Sequence, residues 1–298
     1  MPDWLEPEET IVSTELERAI GGHPLVARIL TRRGNHDPLA ARAFLDPSYY
    51  EPADPEALPG MAAAVARLEQ ALRNQETIAV WGDFDVDGQT ATALLVEALR
   101  ALGGEVRYHI PVRAEESHGV NVSNLKRLLD AGAGLVLTCD TGVAAHQALE
   151  YARARGVDVV VTDHHTPPQH LPPAVAVVNP RLLADPDRSP LGSLPGVGVA
   201  FKLVEALFRR AGRSGEADKL LDLVALGIVA DLAVLRGETR YLLQRGLDTL
   251  RRTHRPGLQA VFEAAEIVPD NLTEEHIGFQ IGPRLNALGR LADANAAV

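Results

Sequence analysis

Three aspartates, Asp83, Asp85 and Asp87, fall within five residues in the stretch Trp81-Gly82-Asp83-Phe84-Asp85-Val86-Asp87-Gly88. Carboxylates this close repel one another, so the spacing points to a cation or a proton held among them. Two more groups of the same chemistry stand downstream, Asp140 in Cys139-Asp140-Thr141-Gly142 and the run Asp163-His164-His165. Carboxylate and imidazole donors without a thiolate suit Mn²⁺ or Mg²⁺ and admit Zn²⁺.

The elements that must position these groups are strand ends. Apolar runs at 77–81, 105–110, 134–138, 157–161 and 175–178 alternate with helical patterns at 62–73, 90–102, 123–131 and 144–155. The runs are continuously apolar rather than alternating, which predicts an α/β fold, mainly a parallel sheet with helices on both faces. Ligands of such sheets bind beyond the carboxyl ends of the strands. Three strands deliver acids or imidazoles to that one edge, at residues 83–87, 140 and 163–165. Residues 14–45 read as short helices. Pro47, Pro52, Pro55 and Pro59 mark a linker. After Pro195 the pattern is helical, at 199–210, 216–229, 240–250 and 257–265. The expected division is a helical extension with linker over 1–59, an α/β catalytic domain over 60–215, and a helical region over 216–298 that completes the core and begins a connector.

Composition bounds the function. The chain has 298 residues, 46% of them apolar, enough for one large domain or two. Its single cysteine, Cys139, allows no internal disulfide and fits a reducing compartment. The acidic N-terminus lacks the basic start and apolar core of a signal peptide. No run of about twenty apolar residues offers a membrane span, and the expected location is the cytoplasm. A formal net charge of −11 argues mildly against a protein that coats duplex DNA without specificity.

Each fragment has a plainer reading when taken alone. An aspartate after a strand is more often a helix cap than a ligand. Asp-x-Asp-x-Asp-Gly opens the EF-hand calcium loop, but the twelfth position here is Leu94 instead of glutamate, and a strand precedes it. Strand-Asp-x-Asp also opens haloacid-dehalogenase-type phosphatases. Cys139 reads as a small core residue.

Taken together, Gly82-Asp83-Phe84-Asp85-Val86-Asp87-Gly88, Cys139-Asp140-Thr141-Gly142 and Asp163-His164-His165 resemble the DHH phosphoesterase superfamily. Within it the later motifs are similar to those of the RecJ-type single-strand-specific exonucleases. These motifs are Leu194-Pro195-Gly196-Val197-Gly198-Val199-Ala200-Phe201-Lys202-Leu203, the run 223–231 ending in Asp231, and Gly282-Pro283-Arg284-Leu285-Asn286-Ala287-Leu288-Gly289-Arg290-Leu291.

The resemblance implies a two-metal 5′→3′ hydrolase of single-stranded DNA, serving repair and recombination with Mn²⁺ or Mg²⁺. It implies ligands at Asp83, Asp85, Asp140, His164 and Asp231, with Asp140 bridging the cations. Asp87 and Asp163 would orient ligands or cap helices, and His165 would contact the phosphate or leaving group. Arg113, His118, Arg284 and Asn286 match positions near the DNA, although relatives tend to carry tyrosine where His118 stands. A surface arginine is an equal reading for Arg113 and a weaker one for Arg284. RecJ-type enzymes continue into a second lobe, and this chain is expected to supply the metal half. A single-strand-binding protein and a helicase are the partners that the family leads one to expect. Two rival readings are a DHH phosphatase or short-oligonucleotide hydrolase, and an inactive replication scaffold.

Overall fold

The computed structural model describes residues 10–113, 116, 119–291 and 293–298. The chain divides into two compact units inside the proline run, between Pro52 and Ala53. The first holds three short helices, α1 (Thr14–Ile20), α2 (Pro24–Arg32) and α3 (Pro38–Leu45). Proline opens α2 and α3 at a position where no amide hydrogen is needed. Side chains of Ser13, His23 and Asp37 accept the first free amides. Leu16, Ala27, Leu30 and Ala41 form the core of this unit.

The second unit is built on five strands, β1 (Ile78–Trp81), β2 (Val106–His109), β3 (Leu135–Cys139), β4 (Asp158–Thr162) and β5 (Ala176–Val178). They lie in the order β2-β1-β3-β4-β5, and every neighbouring pair is parallel. The predicted parallel α/β sheet is therefore present. Alternate residues of each strand face opposite sides, because successive side chains of a strand point to opposite faces. Ile78 and Val80 join the core formed with α4 (Met61–Arg73), α5 (Val86–Ala101), α8 (Gly196–Arg210) and α9 (Leu221–Ala230). Ala79 and Trp81 face α6 (Val122–Asp130) and α7 (His146–Ala154) on the other side. From β1 the chain moves outward to β2, then returns across β1 to β3. That reversal opens a crevice at the carboxyl ends of β1 and β3, where ligands of open parallel sheets bind.

The remainder is helical: α10 (Gly237–Arg251), α11 (Pro256–Ala264), the one-turn α12 (Glu274–His276), a π-helical turn at Ile277–Ile281, and α13 (Gly282–Leu291). Leu242, Leu250, Phe262 and Ile277 of this region share one hydrophobic cluster with the sheet. No helix among the described residues is long and apolar enough to cross a membrane.

Several boundaries differ from the sequence reading, with identifiable causes. Helix α5 begins at Val86 rather than at residue 90, because Asp85 caps it and accepts the Gly88 amide at 3.0 Å. Helix α8 begins at Gly196 rather than at 199, since Asp87 accepts the amides of Gly196 and Val197. The helix expected over 216–229 is a 3₁₀ turn, Glu216–Leu220, followed by α9, the backbone leaving helical values at Leu220. The Gly282-Pro283-Arg284 motif forms the first turn of α13, a place proline tolerates.

Residues 53–59, read as linker, pack onto the second unit. Leu58 is buried, and Ala53 donates its amide to Glu238 Oε2 at 2.9 Å while its carbonyl accepts from Lys202 Nζ at 2.7 Å.

Candidate metal centre

The loop after β1 carries Asp83 and Asp85 over the sheet edge, and the first turn of α5 carries Asp87 inward. Asp87 is buried, and its two carboxylate oxygens accept the amides of Gly196 and Val197 at 2.6 and 2.8 Å. Free amides at the start of a helix are well matched to a carboxylate, so Asp87 ties α8 to the acidic loop. Gly196 has to be glycine here, since a Cβ would stand 2.5 Å from the Asp140 Cβ.

Asp140 follows β3 in the left-handed region, at φ 58°, a conformation that aspartate tolerates better than most residues. It is buried, and its Oδ1 accepts no hydrogen bond among the described residues. That oxygen instead faces His164 Nε2 at 3.1 Å. Two donors on one octahedral cation stand about 3 Å apart, given metal–oxygen distances near 2.1 Å. Burial pushes the Asp140 carboxyl well above the usual carboxylate range, and the charges of Asp85, Asp163 and Asp83 add to the push. Burial, then the charge of Asp140, does the same to Asp87. Burial also raises the Asp231 carboxyl, against the pull of His164.

Asp163 holds the histidine loop. Its Oδ1 accepts the amides of His164 and His165 and the His165 Nδ1–H, the last at 2.8 Å, while Oδ2 accepts the Val143 amide at 2.9 Å. These hydrogen bonds outweigh the effect of burial and bring its carboxyl below the usual range. The hydrogen bond to Asp163 in turn raises the proton affinity of His165, whose side chain is 57% exposed.

Two groups of donor atoms lie within 4.8 Å of one another: Asp140 with His164 and His165, and Asp87 with His164 and Asp231. His164 belongs to both. Its Nε2 lies 3.9 Å from Asp87 Oδ2, and its Nδ1 lies 3.9 Å from Asp231 Oδ2. The tight groups therefore draw in Asp87 and His165, which the sequence reading set apart from the ligands. Asp83 and Asp85 stand outside them, near enough for their charges to act on Asp140. Each has one oxygen engaged locally, Asp83 with the Phe84 amide at 2.7 Å and Asp85 with the Gly88 amide. The donors are oxygen and imidazole. Cys139 is buried beside Thr92 and Trp81, and burial pushes its thiol up, away from the thiolate a metal would need. An orphaned buried carboxylate oxygen among hard donors fits Mn²⁺ or Mg²⁺.

The positions expected to face DNA separate. The Arg113 guanidinium lies over the Phe84 ring, 5.0 Å from its centre, beside the acidic loop. Exposed Arg284 donates Nη1–H to the Gln280 carbonyl one turn back. Asn286 turns inward, where its Oδ1 accepts the Val86 amide at 3.2 Å and so caps α5. His118 lies outside the described residues.

The sequence reading missed two supports. Asn179 is fully buried at the end of β5, and its Nδ2 donates to the His165 carbonyl at 2.9 Å. Reading the residue past β5, like those past the three acid-bearing strands, is the signal that finds it. The second support is α13. Gln89 Nε2 donates to the carbonyls of Phe84 and Leu285, so α13 and α5 both grip the acidic loop. No spacing rule signals that contact.

The "DHH family, N-terminal domain" signature matches residues 77–228. The single-stranded-DNA-specific exonuclease RecJ of Bacillus subtilis is 40% identical over 280 residues, which cover 92% of this chain and 34% of that protein. The structure is similar to that of RecJ from Thermus thermophilus in complex with Mn²⁺, with a TM-score of 0.81 and 36% identity, covering 95% of this chain and 39% of that one. The Mg²⁺ complex of the same protein matches with a TM-score of 0.70 and 33% identity, covering 95% and 36%. The chain thus spans about a third to a half of the length of the curated relatives it matches. Because the signature takes in β1 to β5, the acidic loop and the histidine pair that meet at the crevice, the chain belongs to the DHH family.

Proposed function

We propose that the chain is the metal half of a 5′→3′ exonuclease that hydrolyses single-stranded DNA, in repair and recombination, with two divalent cations, Mn²⁺ or Mg²⁺. The observation that carries this reading is the buried Asp140 Oδ1, which faces His164 Nε2 at 3.1 Å and accepts no hydrogen bond among the described residues. The Mn²⁺ and Mg²⁺ complexes of the similar T. thermophilus protein support the choice of metal.

Asp83, Asp85, Asp140, His164 and Asp231 would hold the cations, with His164 where the two donor groups meet. Bound there, two divalent cations would supply Lewis acidity, neutralising phosphoryl oxygens, lowering the pKa of water and steadying the leaving oxygen. The chain's own groups do the rest. Asp87 fixes α8 against the acidic loop and adds its charge to the cluster. Asp163 accepts the His165 Nδ1–H, which sets the ring and leaves Nε2 to donate a proton or hydrogen bond to a phosphate oxygen or leaving group. Arg113 and Arg284 present planar guanidinium forks to the strand's phosphates, and His118 is a further residue for the strand. A single-strand-binding protein and a helicase recruit the enzyme, and the cytoplasm is its compartment.

Hydrolysis of 5′-labelled single strands of graded length in Mn²⁺ tests the reading. Stepwise shortening of long strands is expected. Activity confined to dimers through pentamers would replace this reading with a short-oligonucleotide hydrolase, and no hydrolysis at any length would overturn it.

A further inference from the structure

The metal centre borders two separate cavities. One, of 460 Å³, is lined in part by Asp83, Asp163 and His165. The other, of 330 Å³, is reached from His164 and Asp231 and is walled by Arg181, Arg236, Leu232 and Val234. A strand whose scissile phosphate sits on the donor cluster must leave it in two directions. Each is lined by two acids and an imidazole, Asp83, Asp163 and His165 in the first and Asp187, Asp231 and His164 in the second, and only the second adds two guanidinium groups.

The backbone of Arg181 is held in place. The buried Asn179 spans the gap between the His165 carbonyl, to which its Nδ2 donates, and the Arg181 amide, which its Oδ1 accepts at 2.8 Å. The exposed Arg181 guanidinium has no hydrogen-bond or ionic partner among the described residues. Arg236 donates Nη2–H to the Pro186 carbonyl at 3.3 Å and lies 3.7 Å from Asp187, a carboxylate 90% exposed. So exposed a pair is weak and readily exchanged. Arg236 Nε is buried with no acceptor among the described residues. The side chain as a whole is 43% exposed, and a phosphate offers several acceptors to a guanidinium fork.

The lining also has an apolar part. Leu232 directly follows Asp231, is 87% exposed, and sits at φ 54°, a conformation uncommon for a bulky side chain. Val234 is likewise exposed. The cavity is at the small end of the range for ligand pockets, about 300–1,000 Å³, which suits one nucleotide and nothing longer.

We propose that this cavity is a nucleotide subsite flanking the metal centre, in which Arg181 and Arg236 take the phosphate next to the scissile one and Leu232 and Val234 take the face of the base. The proposal rests on the reading of the chain as a single-strand nuclease. An apolar contact to the base face reads no base edge, so the subsite accepts any sequence.

The test pairs Arg181→Ala/Arg236→Ala with single strands carrying one uncharged methylphosphonate linkage, moved stepwise away from the scissile phosphate. Two readouts are used: hydrolysis in Mn²⁺, and fluorescence anisotropy of a labelled strand in EDTA. For a normal strand the variant is expected to raise KM by about tenfold or more, the loss of a charge-assisted hydrogen bond, with kcat changed less than about twofold. One methylphosphonate position adjacent to the scissile phosphate should lower wild-type affinity by the same factor and leave the variant unchanged. Independent, multiplying effects of variant and methylphosphonate at every position would overturn the subsite while leaving the nuclease reading intact. If wild-type protein hydrolyses no strand, yet its binding in EDTA still depends on both arginines and on one linkage, the nuclease reading falls and the subsite stands. No dependence on the arginines in either readout overturns the subsite.

Discussion

Two buried clusters of charge lie along helix α8, and they are closed in opposite ways. Lys202 and Glu238 are both fully buried, their charged atoms 2.9 Å apart. Lys202 also donates to the Ala53 carbonyl and meets Glu205 at 2.6 Å, while Glu238 Oε2 takes the Ala53 amide. The protein supplies a partner for each of those two charges. At the start of the helix, six aspartates (Asp83, Asp85, Asp87, Asp140, Asp163 and Asp231) converge with two histidines. Asp163 is satisfied by amides and an imidazole, and Asp87 by two amides. Asp140 Oδ1 accepts no hydrogen bond among the described residues and has the His164 imidazole 3.1 Å away. The Lys202–Glu238 pair, matched one to one, serves architecture, whereas six carboxylates facing two imidazoles are short of positive charge and suit a cation from outside.

Breaking the second cluster should give the largest effect. Asp140→Asn keeps the side-chain shape and tolerates the left-handed backbone. It is expected to abolish Mn²⁺-dependent hydrolysis, beyond the roughly 10–100-fold that loss of an outer partner costs. The same change should stabilise the metal-free protein. A carboxyl whose pKa is higher folded than unfolded weakens folding as pH rises above its unfolded value, and asparagine removes that penalty. Thermal unfolding in EDTA at neutral pH checks the sign.

The first cluster should respond in stability alone. Lys202→Met leaves Glu238 buried and unpaired, at about 3–5 kcal/mol by denaturant unfolding, whereas Lys202→Met/Glu238→Leu should recover most of that loss. Smaller again is Asp163→Asn, expected to lower hydrolysis about 10–100-fold by freeing the His165 ring, with the fold retained. Smallest is Arg284→Ala, which should reduce the salt dependence of DNA binding by about one phosphate contact. An unchanged slope would leave Arg284 with its Gln280 contact as its whole role.

Much of this arrangement is legible in the chain itself. Continuous apolar runs are enough to announce a parallel sheet, and the rule that ligands gather at carboxyl ends places Asp83, Asp140 and His164 at one edge. Asp231 is not legible that way, because it ends a helix, α9, and only its motif singles it out. The inward turn of Asn286 and the grip of α13 on the acidic loop depend on contacts between residues about 200 apart, to which local periodicity is blind. Periodicity also misplaces a helix start where a side chain from elsewhere supplies the cap, as Asp87 does for α8. Arg181 and Arg236 carry no pattern at all, and only folding brings them to one cavity.

The central claim is that the crevice cluster is completed by divalent cations. Titration of the EDTA-stripped chain with Mn²⁺, following free Mn²⁺ by electron paramagnetic resonance, tests it most directly. The expected result is uptake of two equivalents by the wild type, lost or sharply weakened in Asp140→Asn. No uptake by the wild type, or equal uptake by both proteins, would contradict it.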